Sequence, residues 1–334
     1  MAHGAGGTVM KELIETYVLK HLKGGSAEVP LEALDDSAVI SDIVFHSDSH
    51  AVKPIFFPGG DIGRLSVAGT INDVAVMGAE PLAISSAFIL EEGLPLADLD
   101  RISKSMADTC EEAGVHVITG DTKVVEKGVL GGCVINTSGI GRRNDTLEKN
   151  IAEVKRHRHF DARWMLDSNL RDGDRIIISG TMGDHGLAVL SAQEGYDFGS
   201  NVVSDVAPLN KLITRLLNVG GIVAMKDPTR GGLSNALNEF SEKSKHGILV
   251  EEEKIPIRGD VKAACEMLGI DPLDVGNEGK VLIGVVPQKA EEVLAVLKEA
   301  KEGRDAQLIG RATKEFDEVA LETLVGGKRI LAPP

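Results

Sequence analysis

The chain has 334 residues, 43% of them apolar, which is enough for two domains with a core each and argues against disorder. Acidic residues outnumber basic ones 51 to 36, a net charge of −15, and aromatics make up only 3%. Partners that need clustered Lys and Arg or stacking rings, namely nucleic acid and anionic membrane, are therefore disfavoured.

The glycine-rich start "HGAGG" runs into residues 8–23, where Met10, Leu13, Ile14, Tyr17 and Leu22 recur at helical spacing. Strand-like runs follow at "AVISDIVF" and "AVKPIFF". A second helix is predicted over 95–113, with Leu99, Ile102, Met106 and Cys110 on one stripe, and "VHVITG" and "GVLGGCVINTSGIG" read as further strands. Helices and strands mixed in this way predict an α/β (α+β) domain over 1–150. Residues 142–170 are polar, carry both signs of charge and hold the single Trp; 151–170 is expected to be a linker or inserted segment, with "KRHRHFDAR" a solvated helix face. From "DGDRIIISG" onward the two patterns alternate again, which predicts a second α/β domain over 171–334. Cys110, Cys133 and Cys265 lie far apart with no C-x-x-C, and the chain has neither an apolar signal segment nor an 18-residue apolar run, so a reduced, cytoplasmic protein is expected.

Short apolar runs end repeatedly in an aspartate within a Gly, Ser or Thr turn: Asp48 in "IVFHSDS", Asp121 in "VHVITGDTK" and Asp227 in "GIVAMKDPTRGG". Asp35 and Asp36 precede such a run, and Asp73 sits inside one, "GTINDVAVMGAEP", where burial of an unpaired carboxylate is costly. One such residue is explained by turn chemistry or capping. Several acids converging on one place would need a cation, and all-oxygen ligands favour Mg²⁺ or Ca²⁺. Glycine clusters at "HGAGG", "FPGGDIG" and "DPTRGG" offer backbone N–H groups for phosphate, although neither a Walker A pattern nor a G-x-G-x-x-G is present. Acids and glycine loops together suggest Mg-nucleotide binding by another architecture. His50 and His185 read as polar turn residues, while Arg64, Lys226 and Arg230 either neutralise phosphate or are solvated.

In this order, "HGAGG", "DDSAVI", "SDSHAVKPIFFPGGDIGRLSVAGTINDVAVMGAEP", "ITGDTKVV", "DPTRGGL" and "GNEGKVLI" resemble the HypE family of hydrogenase maturation factors, carbamoyl dehydratases. The family belongs to the ATP-dependent superfamily of aminoimidazole ribonucleotide synthetase, selenophosphate synthetase and thiamine-monophosphate kinase. The resemblance implies a two-domain fold whose N-terminal domain shares a β-barrel with a second copy in a homodimer, with ATP held between the subunit surfaces and the C-terminal domain. It implies ATP-dependent dehydration of an S-carboxamide on a C-terminal cysteine to a thiocyanate, the source of cyanide for [NiFe]-hydrogenase. A HypF-like carbamoyltransferase and a HypC–HypD-like complex are the implied partners.

By matching motifs, Asp36, Asp73 and Asp227 are expected at Mg²⁺, and Asp48, Asp121 and Thr122 at metal or nucleotide. Gly59, Gly60, Asp61 and Gly63 are expected at the nucleotide, as are His3, Gly4, Gly6 and Gly7. Lys123 and Glu278 are expected to stabilise charge and transfer the proton. Another superfamily activity, selenophosphate-synthetase-like, or a nucleotide-binding maturation scaffold remain the alternatives. The family's terminal Pro-Arg-(Ile or Val)-Cys tail does not follow "GGKRILAPP", so the native chain is expected to continue past Pro334. About 10 further residues, at roughly 3.3 Å each, would reach the active site.

Overall fold

The computed structural model describes residues 6–195 and 202–334. It opens with α1 (Gly7–Leu13) and a π turn over Ile14–Val18, neither of which contains a buried residue, so the helix expected over 8–23 ends early. The run "AVISDIVF" is two strands, β1 (Ala38–Ile40) and β2 (Ile43–His50). Ser41 and Asp42 both have positive φ, 52° and 62°, which is the geometry a two-residue hairpin turn requires. A two-strand hairpin, β3 (Phe56–Phe57) and β4 (Gly60–Asp61), leads into α2 (Ile62–Val76). Then come β5 (Glu80–Glu91), α3 (Leu96–Ala113), β6 (Val117–Val125) and β7 (Cys133–Arg142). The sheet order is β1-β2-β7-β5-β6, antiparallel except for β5 with β6.

The helix α2 is apolar nearly all round and has 13 buried residues, because it is sandwiched between this sheet and the second half of the chain. Glycine on β7 allows the approach: a Cβ at Gly139 would stand 2.8 Å from the Thr70 methyl. The α3 stripe of Ile102, Met106 and Cys110 packs on Ile62, Ile84 and Ile135. In contrast, every residue of β6 from Val117 to Val124 is exposed along the sheet edge.

Residues 144–170 are part of the second core. Asn144 caps α4 (Asp145–His157) by accepting from the Leu147 amide at 2.9 Å, and Leu147, Ile151, Val154 and Trp164 join the same buried cluster as the second sheet. The polar character came from the outer helix face; the buried one faces α6 (Asn210–Val219) and β9 (Ile222–Lys226). Other helices of this half are α5 (Asp184–Glu194), α7 (Gly232–Ser244), α8 (Gly259–Leu268) and α9 (Ala290–Lys298). With β9, strands β8 (Arg175–Ile178), β10 (Gly247–Glu251), β11 (Leu282–Val285), β12 (Gln307–Thr313), β13 (Val319–Glu322) and β14 (Lys328–Ile330) form a sheet of order β14-β13-β10-β12-β8-β11-β9. Both β9 and β11 are buried throughout, as their unbroken apolar runs suggest. Among the described residues, no helix is long and apolar enough to cross a membrane.

Because Leu147 is fully buried against Met165 and Gly78, Leu147→Ala is expected to destabilise the protein by about 2–5 kcal/mol in urea unfolding. A change near zero would show that α4 is a dispensable appendage.

Candidate functional site

A cavity of about 510 Å³ opens where the two halves meet. Its walls are the Gly6–Gly7 turn and α1, the 34–36 loop, the second half of β2, one face of α2, the loop after β9, α7 and Glu278. Three elements from distant parts of the sequence converge here. Asp36 comes from the loop before β1, Asp73 from α2 and Asp227 from the residue after β9, and one carboxylate oxygen of each lies within 4.8 Å of the others. The odd aspartate inside "INDVAVMGA" is explained by its helix, whose neighbour Asn72 is also buried but fully used. Asn72 accepts from the Leu209 amide at 2.8 Å and donates to the Ala207 carbonyl at 3.1 Å.

The electrostatics of the cluster are unbalanced. Burial pushes the Asp227 carboxyl well above the usual range, with the Asp73, Asp36 and Glu278 charges adding to it, and its Oδ2 is buried with no hydrogen-bond partner. Burial also raises the Asp36 carboxyl, to about 7, with Asp167 and Asp73 adding and the Lys226 ammonium opposing. Glu278 is pushed well up by burial and by Asp205, Asp48 and Asp73. Its backbone is clamped, the amide donating to Asp205 Oδ1 at 3.0 Å and the carbonyl accepting from the Ala207 amide at 3.3 Å. Three hard oxygen donors, one of them orphaned, fit a Mg²⁺-type cation.

The sequence reading did not single out His46. Its Nδ1 donates to the Asp36 carbonyl at 2.6 Å and its Nε2 stands 3.0 Å from Asp73 Oδ2. Burial alone would lower its pKa, but the charge and hydrogen bond of Asp73 outweigh this and hold it at about 9, so the imidazole is protonated at neutral pH. A signal was present: His46, Asp48 and His50 alternate along "HSDSH", which places them on one face of β2. Asp48 is held low because His50 and His46 outweigh its burial. His50, expected to be a turn residue, is buried at the cavity; burial lowers its pKa, and Gly69 leaves it room, since a Cβ there would lie 3.0 Å from its ring. His185 also lines the cavity, with Nδ1 2.8 Å from Ser204 Oγ.

Other expected residues lie elsewhere. Asp61 caps α2, its Oδ1 accepting from the Gly63 and Arg64 amides at 2.7 and 3.0 Å. The preceding glycines pack on the 204–206 segment, where a Cβ at Gly59 would lie 2.7 Å from Ser204 and one at Gly60 2.8 Å from Val206. Gly59, Gly60, Asp61 and Gly63 thus build the start of the helix and its contact with the second half, and do not line the cavity. Asp121, Thr122 and Lys123 lie on the exposed strand β6, outside the cavity of their own chain. Gly6 and Gly7 do line it, whereas His3 and Gly4 fall outside the described residues. Pro334 already lies against Gly7, where a Cβ would collide with its carbonyl oxygen, so the C-terminal arm approaches the cavity without the additional 10 or so residues that the sequence suggested.

Comparison with known proteins agrees with this layout. Residues 34–143 match the N-terminal domain of AIR synthase related proteins, and residues 171–321 match the C-terminal domain. The chain is 43% identical to carbamoyl dehydratase HypE of Rhizobium leguminosarum bv. viciae, over 99% of this chain and 91% of that protein. It is similar to HypE in a HypE–HypF complex, with 43% identity, a TM-score of 0.86 and coverage of 96% and 99% of the two chains. A HypE structure in complex with ATP has 40% identity and a TM-score of 0.80, covering 100% of this chain and 97% of that one.

The Asp36 pKa of about 7 lies above the unfolded carboxyl value of about 3.9, so this group favours folding at low pH and its contribution is lost as pH rises through 7. In chelator, the melting temperature is therefore expected to fall between pH 4 and 7 more steeply than in Asp36→Asn, and Mg²⁺ is expected to remove the difference. Parallel profiles for the two proteins would contradict it.

Proposed function

The chain belongs to the HypE family of carbamoyl dehydratases among the AIR synthase related proteins, and from that membership we propose that its cavity binds Mg-ATP and dehydrates an S-carboxamide to a thiocyanate. The observation that carries this reading is the convergence of Asp36, Asp73 and Asp227 beside Glu278 in one cavity. In the reaction the carboxamide oxygen attacks the γ-phosphorus of ATP and ADP leaves. One N–H proton is lost in giving the imidate phosphate, which then loses its second N–H proton and expels phosphate to form the C≡N bond.

Mg²⁺ held by Asp36, Asp73 and Asp227 would neutralise phosphate oxygens. Glu278 is assigned the N–H proton: its backbone is fixed and its side chain faces the cavity beside Asp48 and Asp73. Arg230, which lines the same cavity, partly offsets the burial and the carboxylate neighbours that raise the Glu278 carboxyl. Gly6 and Gly7 supply close backbone approach at the nucleotide. The S-carboxamide would be carried by a thiol presented to the cavity. Cys110, Cys133 and Cys265 are buried free thiols whose proton affinity burial raises, Cys265 to about 11, and none of them can swing into the cavity.

The same reading places Lys123 through a second copy. An edge strand exposing Ile118 and Val124, on a sheet that also exposes Ile43, Phe45 and Leu82, is suited to continue into the sheet of a partner as a shared barrel. Asp121, Thr122 and Lys123 on β6 would then serve the cavity of that partner. A HypF-like carbamoyltransferase is proposed to load the thiol, and a HypC–HypD-like complex to accept the cyanide.

Given Mg-ATP, the protein is expected to take one water in mass from a peptide that ends in an S-carbamoylated cysteine, and Glu278→Gln is expected to slow this step by about 100-fold or more. ATP turnover without any mass change would overturn the dehydratase reading. In sedimentation, the wild-type chain is expected to be a dimer and Ile118→Asp a monomer with little ATP hydrolysis; a wild-type monomer of full activity would exclude the shared barrel.

A further inference from the structure

The segment between the two matched family domains supplies a carboxylate to two lysines of the cavity wall. Asp167 begins a short 3₁₀ turn, Asp167–Asn169, and is 1% exposed. Its Oδ2 accepts from Lys243 Nζ at 2.7 Å and lies 3.2 Å from Lys226 Nζ, so a buried ammonium group and a half-buried one share one oxygen. Lys226, the last residue of β9, also pairs with Asp36 and with Glu239 at 3.0 Å. Lys243, on α7, donates to the Leu34 carbonyl at 2.6 Å and stands 3.3 Å from Asp35 Oδ1. The Asp167 amide donates to that same Asp35 oxygen at 3.4 Å.

The 34–36 loop is thereby gripped at each of its three residues. Leu34 has a φ of +49°, a conformation that a leucine keeps only where its surroundings impose it. The connecting segment also fixes the strand beneath. Asn150 brackets Ile222, accepting from its amide at 2.9 Å and donating to its carbonyl at 2.8 Å, and Asn169 donates to the Val223 carbonyl at 3.0 Å. With Asp167 on Lys226, one segment holds β9 near its start and at its end, next to Asp227.

We propose that Asp167 is a positioning residue of the cation site: by bridging Lys226 and Lys243 it sets the 34–36 loop so that Asp36 faces Asp73 and Asp227. This rests on the reading of those three carboxylates as a cation site. Without the bridge, Lys226 keeps Asp36 and Glu239 and Lys243 keeps Asp35, but the carboxylate shared by the two ammonium groups is gone, and the loop that both of them hold loses its side-chain tie to the connecting segment. A purely structural role predicts a lower melting temperature and nothing more.

The test is Mn²⁺ binding to the full chain, followed by electron paramagnetic resonance with a non-hydrolysable ATP analogue present. Asp36→Asn is the reference: if it leaves Mn²⁺ affinity unchanged, the cation reading fails and this inference falls with it. Where Asp36→Asn does weaken binding, Asp167→Asn is expected to weaken it by about 10- to 100-fold while metal-free nucleotide affinity stays put. Lys243→Met removes the other half of the bridge while keeping the stem, and is expected to lower Mn²⁺ affinity in the same direction even if Asp167→Asn does not fold. Wild-type Mn²⁺ affinity in either folded variant would overturn the positioning role and leave the cation reading standing.

Discussion

Asp36, Asp73 and Asp227 bring carboxylate oxygens within 4.8 Å of one another in a buried place, and much of the architecture serves that unfavourable meeting. Like charges so close in a poorly solvated site do not all ionise unless a cation joins them. The protein supplies part of the compensation itself, with the His46 imidazolium on Asp73 and the Lys226 ammonium on Asp36. Asp227 keeps an orphaned oxygen, which leaves room for the charge of a bound ion. The three carboxylates come from a loop, a helix and a strand end, so only the finished union of both halves assembles them. The helix α2 is the shared wall: buried nearly all round, it presents Asp73 to the cavity and uses Asn72 to clip the 207–209 segment of the second half.

Much of this was legible from local sequence. Acids set against apolar runs carried the three cluster residues: Asp227 ends one, Asp36 precedes one and Asp73 sits inside one. "KVLIGVVP" and "GIVAMKD" revealed their buried strands through unbroken apolar runs, and the 95–113 periodicity gave α3 to within one residue. The two halves and their mixed α/β character followed from the same patterns, and the ordered set of motifs gave the family.

What stayed hidden depended on contacts distant in sequence. The 142–170 segment looked like a polar connector because the outer face of α4 is charged, while the apolar face that packs on α6 and β9 amounts to Leu147, Ile151 and Val154. Asp61 looked like a ligand because a glycine-flanked aspartate serves a phosphate loop and a helix cap equally well, and here the carboxylate is spent on the Gly63 and Arg64 amides. His46 was overlooked although its period-2 partnership with Asp48 and His50 was written in the strand. Lys123 raises a different matter: its strand is an exposed edge of the sheet, so its side chain meets neither the cavity nor a further strand of its own sheet. Asp167 lies between the two matched domains, and only the folded chain shows that it pairs with Lys226 and Lys243 of the cavity wall.

The most direct measurement is a crystal structure of the protein grown with Mn²⁺ and a non-hydrolysable ATP analogue, with the metal located by its anomalous scattering. The account predicts an anomalous peak bonded to oxygens of Asp36, Asp73 and Asp227, with nucleotide phosphate completing its coordination. A nucleotide bound with its metal away from these three carboxylates, or Lys226 and His46 as their only counter-ions in the occupied complex, would contradict it.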